Sequence, residues 1–136
     1  MDARKPVLLY AEDDLDDFES LKDAVEQITD KYDIVWARNG SEVVSLLQED
    51  LKDHLPCLIV LDLNMPVMDG KEALAWLKNE PAYNTIPVMI FTTSSREEDV
   101  KLCQSHKCTF FRKPTLYRDL LHIGQTMLDI CEGRTT

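Results

Sequence analysis

The sequence predicts an α/β domain: a five-stranded parallel sheet with five helices, doubly wound so that helices cover both faces. Three observations predict it. Five short β-like runs alternate with five amphipathic stretches along the 136 residues. The first, third and fourth runs are continuously apolar and rich in Val, Ile and Leu, as parallel strands buried on both sides are. Each intervening stretch carries one apolar stripe, as a helix lying on a sheet requires. Right-handed crossovers then distribute the helices over both faces.

The elements follow in order. PVLLYA (6–11) is the first strand, and 15–28 is a helix with Phe18, Leu21, Val25 and Ile28 on one side. DIVWA (33–37) precedes a helix over 41–51 bearing Val43, Val44, Leu47 and Leu51, with Ser41 as its expected cap. CLIVLD (57–62) precedes a helix over 71–79 built on Leu74 and Leu77, with Trp76 further round. PVMIFT (87–92) precedes 96–106, which offers Val100 and Cys103. TFFRK (109–113) leads into 116–131, with Leu116, Leu120, Ile123, Met127 and Ile130. Gly40, Gly70 and the stretch from Pro81 punctuate the pattern. The length suits one domain over 1–136, with an ordered core over about 6–130 and a frayed tail from Glu132 to Thr136.

Composition narrows the function. Apolar residues make up 44%, a globular value. Fifteen Lys and Arg against 25 Asp and Glu leave a net charge of −10. Such a domain, with no basic stripe, is repelled by phosphate-rich partners, so neither nucleic acid nor a membrane surface is expected. No run approaches the ~20 apolar residues of a membrane span. Val7 to Ala11 is too short for a signal peptide, so a cytoplasmic protein is expected. The four cysteines, Cys57, Cys103, Cys108 and Cys131, are too few for a disulfide scaffold in a chain this long.

In open α/β sheets, sites form beyond the carboxyl ends of the strands. The first run ends in Glu12, Asp13 and Asp14, the third on Asp62 before Asn64, the fourth in Thr92, Thr93 and Ser94, and the fifth in Lys113 and Pro114. If the first and third strands are neighbours, about 4.8 Å apart, Glu12, Asp13 and Asp62 share one pocket. Two carboxylates ~4 Å apart repel by roughly 4 kcal/mol at an effective dielectric of ~20. Such a cluster calls for a hard divalent cation, and Mg²⁺ fits best. A metal, Lys113 and the Thr92 hydroxyl together suit a phosphoryl group. Asp62 is the best-placed nucleophile, because a carboxylate ionised at neutral pH needs no general base.

LDLNMPVMDG (61–70), EDD (12–14), Thr92 and the Lys113-Pro114 pair together resemble the receiver domains of two-component response regulators, over about 6–130. The resemblance implies a flavodoxin-like sheet of order 2-1-3-4-5. It implies Asp62 as phosphoacceptor, Asp13 as a direct Mg²⁺ ligand, Glu12 acting mostly through water, and the Asn64 carbonyl as a further ligand. It also implies that Thr92 contacts the phosphoryl oxygen, that Lys113 pairs with the phosphate, and that Phe110 is the aromatic switch. The Lys113–Pro114 bond is cis in such proteins. Thr109 stands where many members have Gly, so the path into the fifth strand is expected to differ locally.

The implied donor is the phosphohistidine of a sensor histidine kinase. LKNEPAYNTIPV and TTSSREEDV further resemble stand-alone receivers associated with bacterial phytochromes. The signal would leave through a downstream protein, a histidine phosphotransfer protein or a homodimer. The domain would also dephosphorylate itself, at a rate tuned by the Asn64 and Ser94 side chains, without being a turnover enzyme.

Blander readings compete with these. Asp14, Asp16 and Asp17 read as charge favouring a helix N-terminus. Cys103, His106 and Cys108 lack a fourth zinc ligand and read as packed thiols. An EF-hand loop starting at Asp62 fails at Val67 and Ala73. A small-molecule phosphatase would want an acid at position 64, where Asn64 stands.

Overall fold

A computed structural model describes residues 4–94 and 96–133. The strands are β1 (Val7–Ala11), β2 (Asp33–Ala37), β3 (Leu58–Leu61), β4 (Val88–Thr92) and β5 (Thr109–Arg112). The helices are α1 (Leu15–Ile28), α2 (Gly40–Gln48), α3 (Gly70–Asn79), α4 (Glu97–Ser105) and α5 (Tyr117–Cys131). All pairings are parallel and the order is β2-β1-β3-β4-β5, as expected.

Strand periodicity of two divides the core. Leu9, Ile59 and Ile90 pack with Val43, Leu47, Leu74, Leu77 and Cys103 from α2, α3 and α4. Leu8, Tyr10, Val60, Met89 and Phe91 pack with Phe18, Leu21, Val25, Ile123 and Met127 from α1 and α5. Each fully buried aliphatic side chain contributes roughly 1.5–3 kcal/mol. β1, β3 and β4 are buried along their whole length, which accounts for their unbroken apolar runs.

Several local expectations need correction. Helix α2 starts earlier and ends sooner than 41–51, and its cap is Asn39, whose side chain accepts from the Glu42 N–H. Ser41 lies inside the first turn, and the Asn39 side chain two residues upstream does the capping. Glu132, expected to be frayed, bonds through its carboxylate to the Tyr32 hydroxyl; the rest of the tail lies outside the described residues. No described peptide bond is cis, so Lys113–Pro114 is trans. The isomers of an X–Pro bond differ by only ~0.5–1 kcal/mol, so local context decides. Thr109 enters β5 regularly, opposite Met89. Cys57 and Cys131, 74 positions apart, are joined in a disulfide that ties the start of β3 to the end of α5.

Two features shape the loop after β3. Val67 has φ 66° and is 83% exposed, an uncommon and strained conformation for a β-branched residue. Gly70 opens α3 against the end of β3, where a Cβ would lie 2.2 Å from the Asp62 carbonyl oxygen and 2.8 Å from the Leu63 Cα. Those are backbone atoms and cannot swing aside. Gly70→Ala is expected to cost about 1–3 kcal/mol in denaturant unfolding, the usual range for overpacking.

Candidate functional site

The carboxyl ends of β1 and β3 are adjacent, with Ala11 opposite Leu61, so the residues that follow them converge. Glu12, Asp13 and Asp62 each present a carboxylate oxygen within 4.8 Å of the others. Glu12 and Asp62 are buried and Asp13 is exposed, which gives the cluster a closed floor and an open mouth. A set of hard oxygen donors packed this closely, with one open side, fits a hydrated divalent cation.

Lys113 follows β5 and reaches into the same pocket. Its Nζ donates to Glu12 Oε1, to Asp17 Oδ2 at 2.8 Å and to Asp62 Oδ2 at 3.0 Å. Burial works to lower the Lys113 pKa, but the bonds to Asp17, Glu12 and Asp62 outweigh it and raise it above the ordinary lysine value. Burial pushes Glu12 up to about 7, and the charge of Asp62 adds to this, while Lys113 and the Asp14 amide oppose it. Without a cation other than Lys113, Glu12 therefore titrates near neutrality.

Three further groups fix Glu12. The Tyr10 hydroxyl donates to Oε1 at 3.0 Å, the Asp14 N–H to Oε2 at 3.1 Å, and the Trp36 indole N–H to the Glu12 carbonyl at 2.6 Å. Tyr10 is fully buried, and burial followed by the Glu12 charge raises its pKa above the usual phenol value. Asp62 accepts from the Asn64 N–H at 3.2 Å, while Asn64 itself is exposed. Thr92, fully buried at the end of β4, accepts from the Ser94 N–H at 3.4 Å. Phe110 on β5 is half-buried and packs on the α2–α4 side of the sheet.

Thus Glu12, Asp13, Asp62 and Lys113 meet in one pocket, with Thr92, Asn64 and Phe110 on neighbouring elements. Asp17 and Tyr10 were missed. Asp17 read as helix-terminal charge, yet it bonds Lys113. The overlooked signal was its place beside the buried Phe18, in the first turn of a helix that starts just beyond the acidic pair. Asp14 does serve the helix start, accepting from the Asp17 N–H.

A second buried charge secures the loop after β4. Asp99 is 1% exposed and accepts from Ser94 Oγ at 2.6 Å and Arg96 Nε at 3.1 Å, and it pairs with Lys71 Nζ at 2.9 Å. These partners, the Ser94 hydroxyl foremost, hold its pKa at about 2, below the ordinary 3.8. A depressed carboxylate stabilises the fold above its unfolded pKa, and that contribution is lost as pH falls through the folded one. Asp99→Asn is therefore expected to lose about 2 kcal/mol at neutral pH. In acid melts the gap to the parent should close between about pH 4 and pH 2.

The chain matches the family model described as a response regulator receiver domain over residues 8–123. It is 35% identical over 123 residues to response regulator Rcp1 of Synechocystis sp., covering 88% of this chain and 84% of that one. It is 28% identical over 111 residues to the polar-differentiation response regulator DivK of Brucella anthropi, covering 81% and 85%. Among solved structures it is similar to the phosphorylated cyanobacterial phytochrome response regulator RcpA, with a TM-score of 0.86, 27% identity and 97% of each chain covered. It is also similar to the Mn²⁺-bound form of Rcp1, with a TM-score of 0.82 and 29% identity, covering 96% of this chain and 97% of that one.

Proposed function

Because this chain belongs to the response regulator receiver domains of two-component systems, we propose that Asp62 accepts a phosphoryl group from the phosphohistidine of a sensor histidine kinase. The observation that carries the proposal is the convergence of Glu12, Asp13 and Asp62 within 4.8 Å, with Lys113 bonded to two of them. Glu12, Asp13 and Asp62, with the Asn64 carbonyl, are the residues that would hold Mg²⁺. Bound there, the ion supplies charge neutralisation for the entering phosphoryl group.

The chain's own groups do the rest. A carboxylate oxygen of Asp62 attacks phosphorus, the new P–O bond forms as the P–N bond breaks, and the imidazole leaves with the electron pair. Lys113 already lies on Asp62 and neutralises the charge that arrives. The Thr92 hydroxyl donates to a phosphoryl oxygen. That draws Thr92 inward and leaves room for Phe110, whose ring has no polar group to strand on burial. The surface over α4 and β5 then differs between the two forms, and a partner that binds them unequally reads the state. Water ends the signal: its oxygen attacks phosphorus, the Asp62 O–P bond breaks, the carboxylate is restored and inorganic phosphate leaves, at a rate tuned by the Asn64 and Ser94 side chains.

The kinase is of the phytochrome type, a reading supported by the likeness to the phytochrome response regulator RcpA. The output is a downstream protein, a histidine phosphotransfer protein or a second copy of the chain. The proposed setting is the cytoplasm. Among the described residues no helix is long and apolar enough to cross a membrane.

Acetyl phosphate with Mg²⁺ tests the proposal. Intact mass is expected to show one labile phosphoryl adduct per chain that EDTA prevents; no adduct under these conditions overturns it. Lys113 gives an independent check. Lys113→Ala leaves Glu12, Asp17 and Asp62 without their shared cation. Proton uptake by Glu12 limits the penalty to about 2 kcal/mol, short of the roughly 3–5 usual for half of a buried pair. Thermal melts in EDTA should show that loss, and Mg²⁺ should recover most of it.

A further inference from the structure

All four cysteines lie at the amino-terminal edge of the sheet, the pole opposite Asp62. Cys57 precedes β3, Cys108 precedes β5, Cys103 lies in the last turns of α4, and Cys131 ends α5. They form two spatial pairs. Cys57 and Cys131 are bonded, while Cys103 and Cys108 are free.

The free pair is brought together by the way α4 ends. His106 is the C-cap and Lys107 turns back with φ 57°. The Lys107 N–H donates to the Gln104 carbonyl and the Cys108 N–H to the Cys103 carbonyl, both at 3.0 Å. That is a Schellman ending, in which the side chains either side of the turn meet. Apolar residues usually supply this contact; here the positions are held by Cys103 and Cys108, which pack against the same core.

The two thiols are unequal. Cys103 is 1% exposed, and Cys108 is half-buried with solvent access. The hydrogen bond with Cys103 draws the Cys108 thiol below its ordinary pKa, against its burial, and the Lys78 charge helps. The same contact and burial hold Cys103 protonated. An accessible thiol across a tight helix-end turn from a shielded second thiol is the arrangement of a peroxide-reactive cysteine with its resolving partner.

We propose that Cys103 and Cys108 form an oxidation site, at which a hydroperoxide reacts with Cys108 and Cys103 then closes a second disulfide. In the first step the Cys108 thiolate attacks the distal peroxide oxygen. An S–O bond forms, the O–O bond breaks, and the leaving alkoxide takes the thiol's proton as an alcohol, or as water when the peroxide is hydrogen peroxide. In the second step the Cys103 sulfur attacks the Cys108 sulfur. The S–S bond forms and hydroxide leaves with the Cys103 proton as water. Two electrons pass from the thiols to the peroxide. The new bond would join the last turn of α4 to the start of β5, two residues before Phe110, and so stiffen the α4–β5 joint.

Trypsin provides the readout. Cleavage after Lys107 separates LCQSHK from CTFFR, so a bond between the cysteines keeps these peptides together. The full chain is treated with hydrogen peroxide, with dimedone present to trap sulfenic acid. The parent should lose two hydrogens in intact mass, lose both alkylatable thiols and yield the linked peptides. Cys103→Ala should accumulate a dimedone adduct on Cys108, and Cys108→Ser should leave Cys103 unmodified. Circular dichroism establishes that each variant folds. If Cys103→Ala does not, the parent alone decides: linked peptides support the site, whereas a persistent dimedone adduct on Cys108 or two intact thiols overturn it. Oxidation of Cys103 in Cys108→Ser overturns it as well.

Discussion

Asp62→Asn takes up no phosphoryl group from acetyl phosphate or from a phosphorylated kinase, under conditions in which the parent forms an adduct. The substitution keeps the shape of the side chain, and its remaining carbonyl oxygen can still accept the Asn64 N–H that now bonds Oδ1. What it removes is the anionic oxygen. A neutral amide is a far weaker nucleophile than a carboxylate, and Asp62 is the acid of the pocket that both the Lys113 ammonium and the Asn64 N–H contact. Complete loss of adduct by intact mass is the expected result. An adduct of undiminished occupancy would move the reactive group to Asp13 or Glu12. Stability is expected to hold or rise in the same variant, because burial of Asp62 beside Glu12 sets like charges together and the change relieves that repulsion. A loss of phosphorylation that came from misfolding would lower the melting temperature instead.

Cys57→Ser is expected to produce the largest loss of stability. The bond it removes closes 74 positions of chain, from the start of β3 to the end of α5. The Cα atoms lie 4.9 Å apart, within the range that disulfides adopt. In the chain-entropy account, opening a loop of this length costs about 4 kcal/mol. For a domain of this size that lowers the melting temperature by roughly 10–15 °C. Reducing the parent with dithiothreitol should reproduce the shift, and Cys57→Ser should show no further change on reduction. If the variant melts with the parent under oxidising conditions, the crosslink constrains nothing in the unfolded chain.

The frame of the molecule was legible because its physics is local and periodic. Unbroken apolar runs such as LIVL mark strands covered on both faces, and the Leu74–Leu77 spacing marks a helix. Glu12, Asp13, Asp62 and Lys113 were legible because parallel topology sends every strand end to one edge. Asp17 was not, because one acid among several at a helix start looks like dipole compensation until Lys113 is seen bonded to it. Tyr10 was not, because a tyrosine in a buried strand reads as core, and only its hydroxyl contact with Glu12 separates the two roles. The Cys57–Cys131 bond depends on two elements meeting across the fold, and the spacing of the cysteines carries no sign of it. The trans Lys113–Pro114 bond is a small free-energy difference that a motif does not resolve.

The ammonium of Lys113, seated among Glu12, Asp17 and Asp62, has a consequence for which ions the pocket admits. An incoming cation does not meet bare acids; it competes with a tethered univalent occupant that never diffuses away. Sodium or potassium would swap one positive charge for another and gain little. A doubly charged ion gains roughly twice the attraction at the same distance. The lysine would thus act as a valence filter, disfavouring the abundant alkali ions before size or coordination number enters the contest.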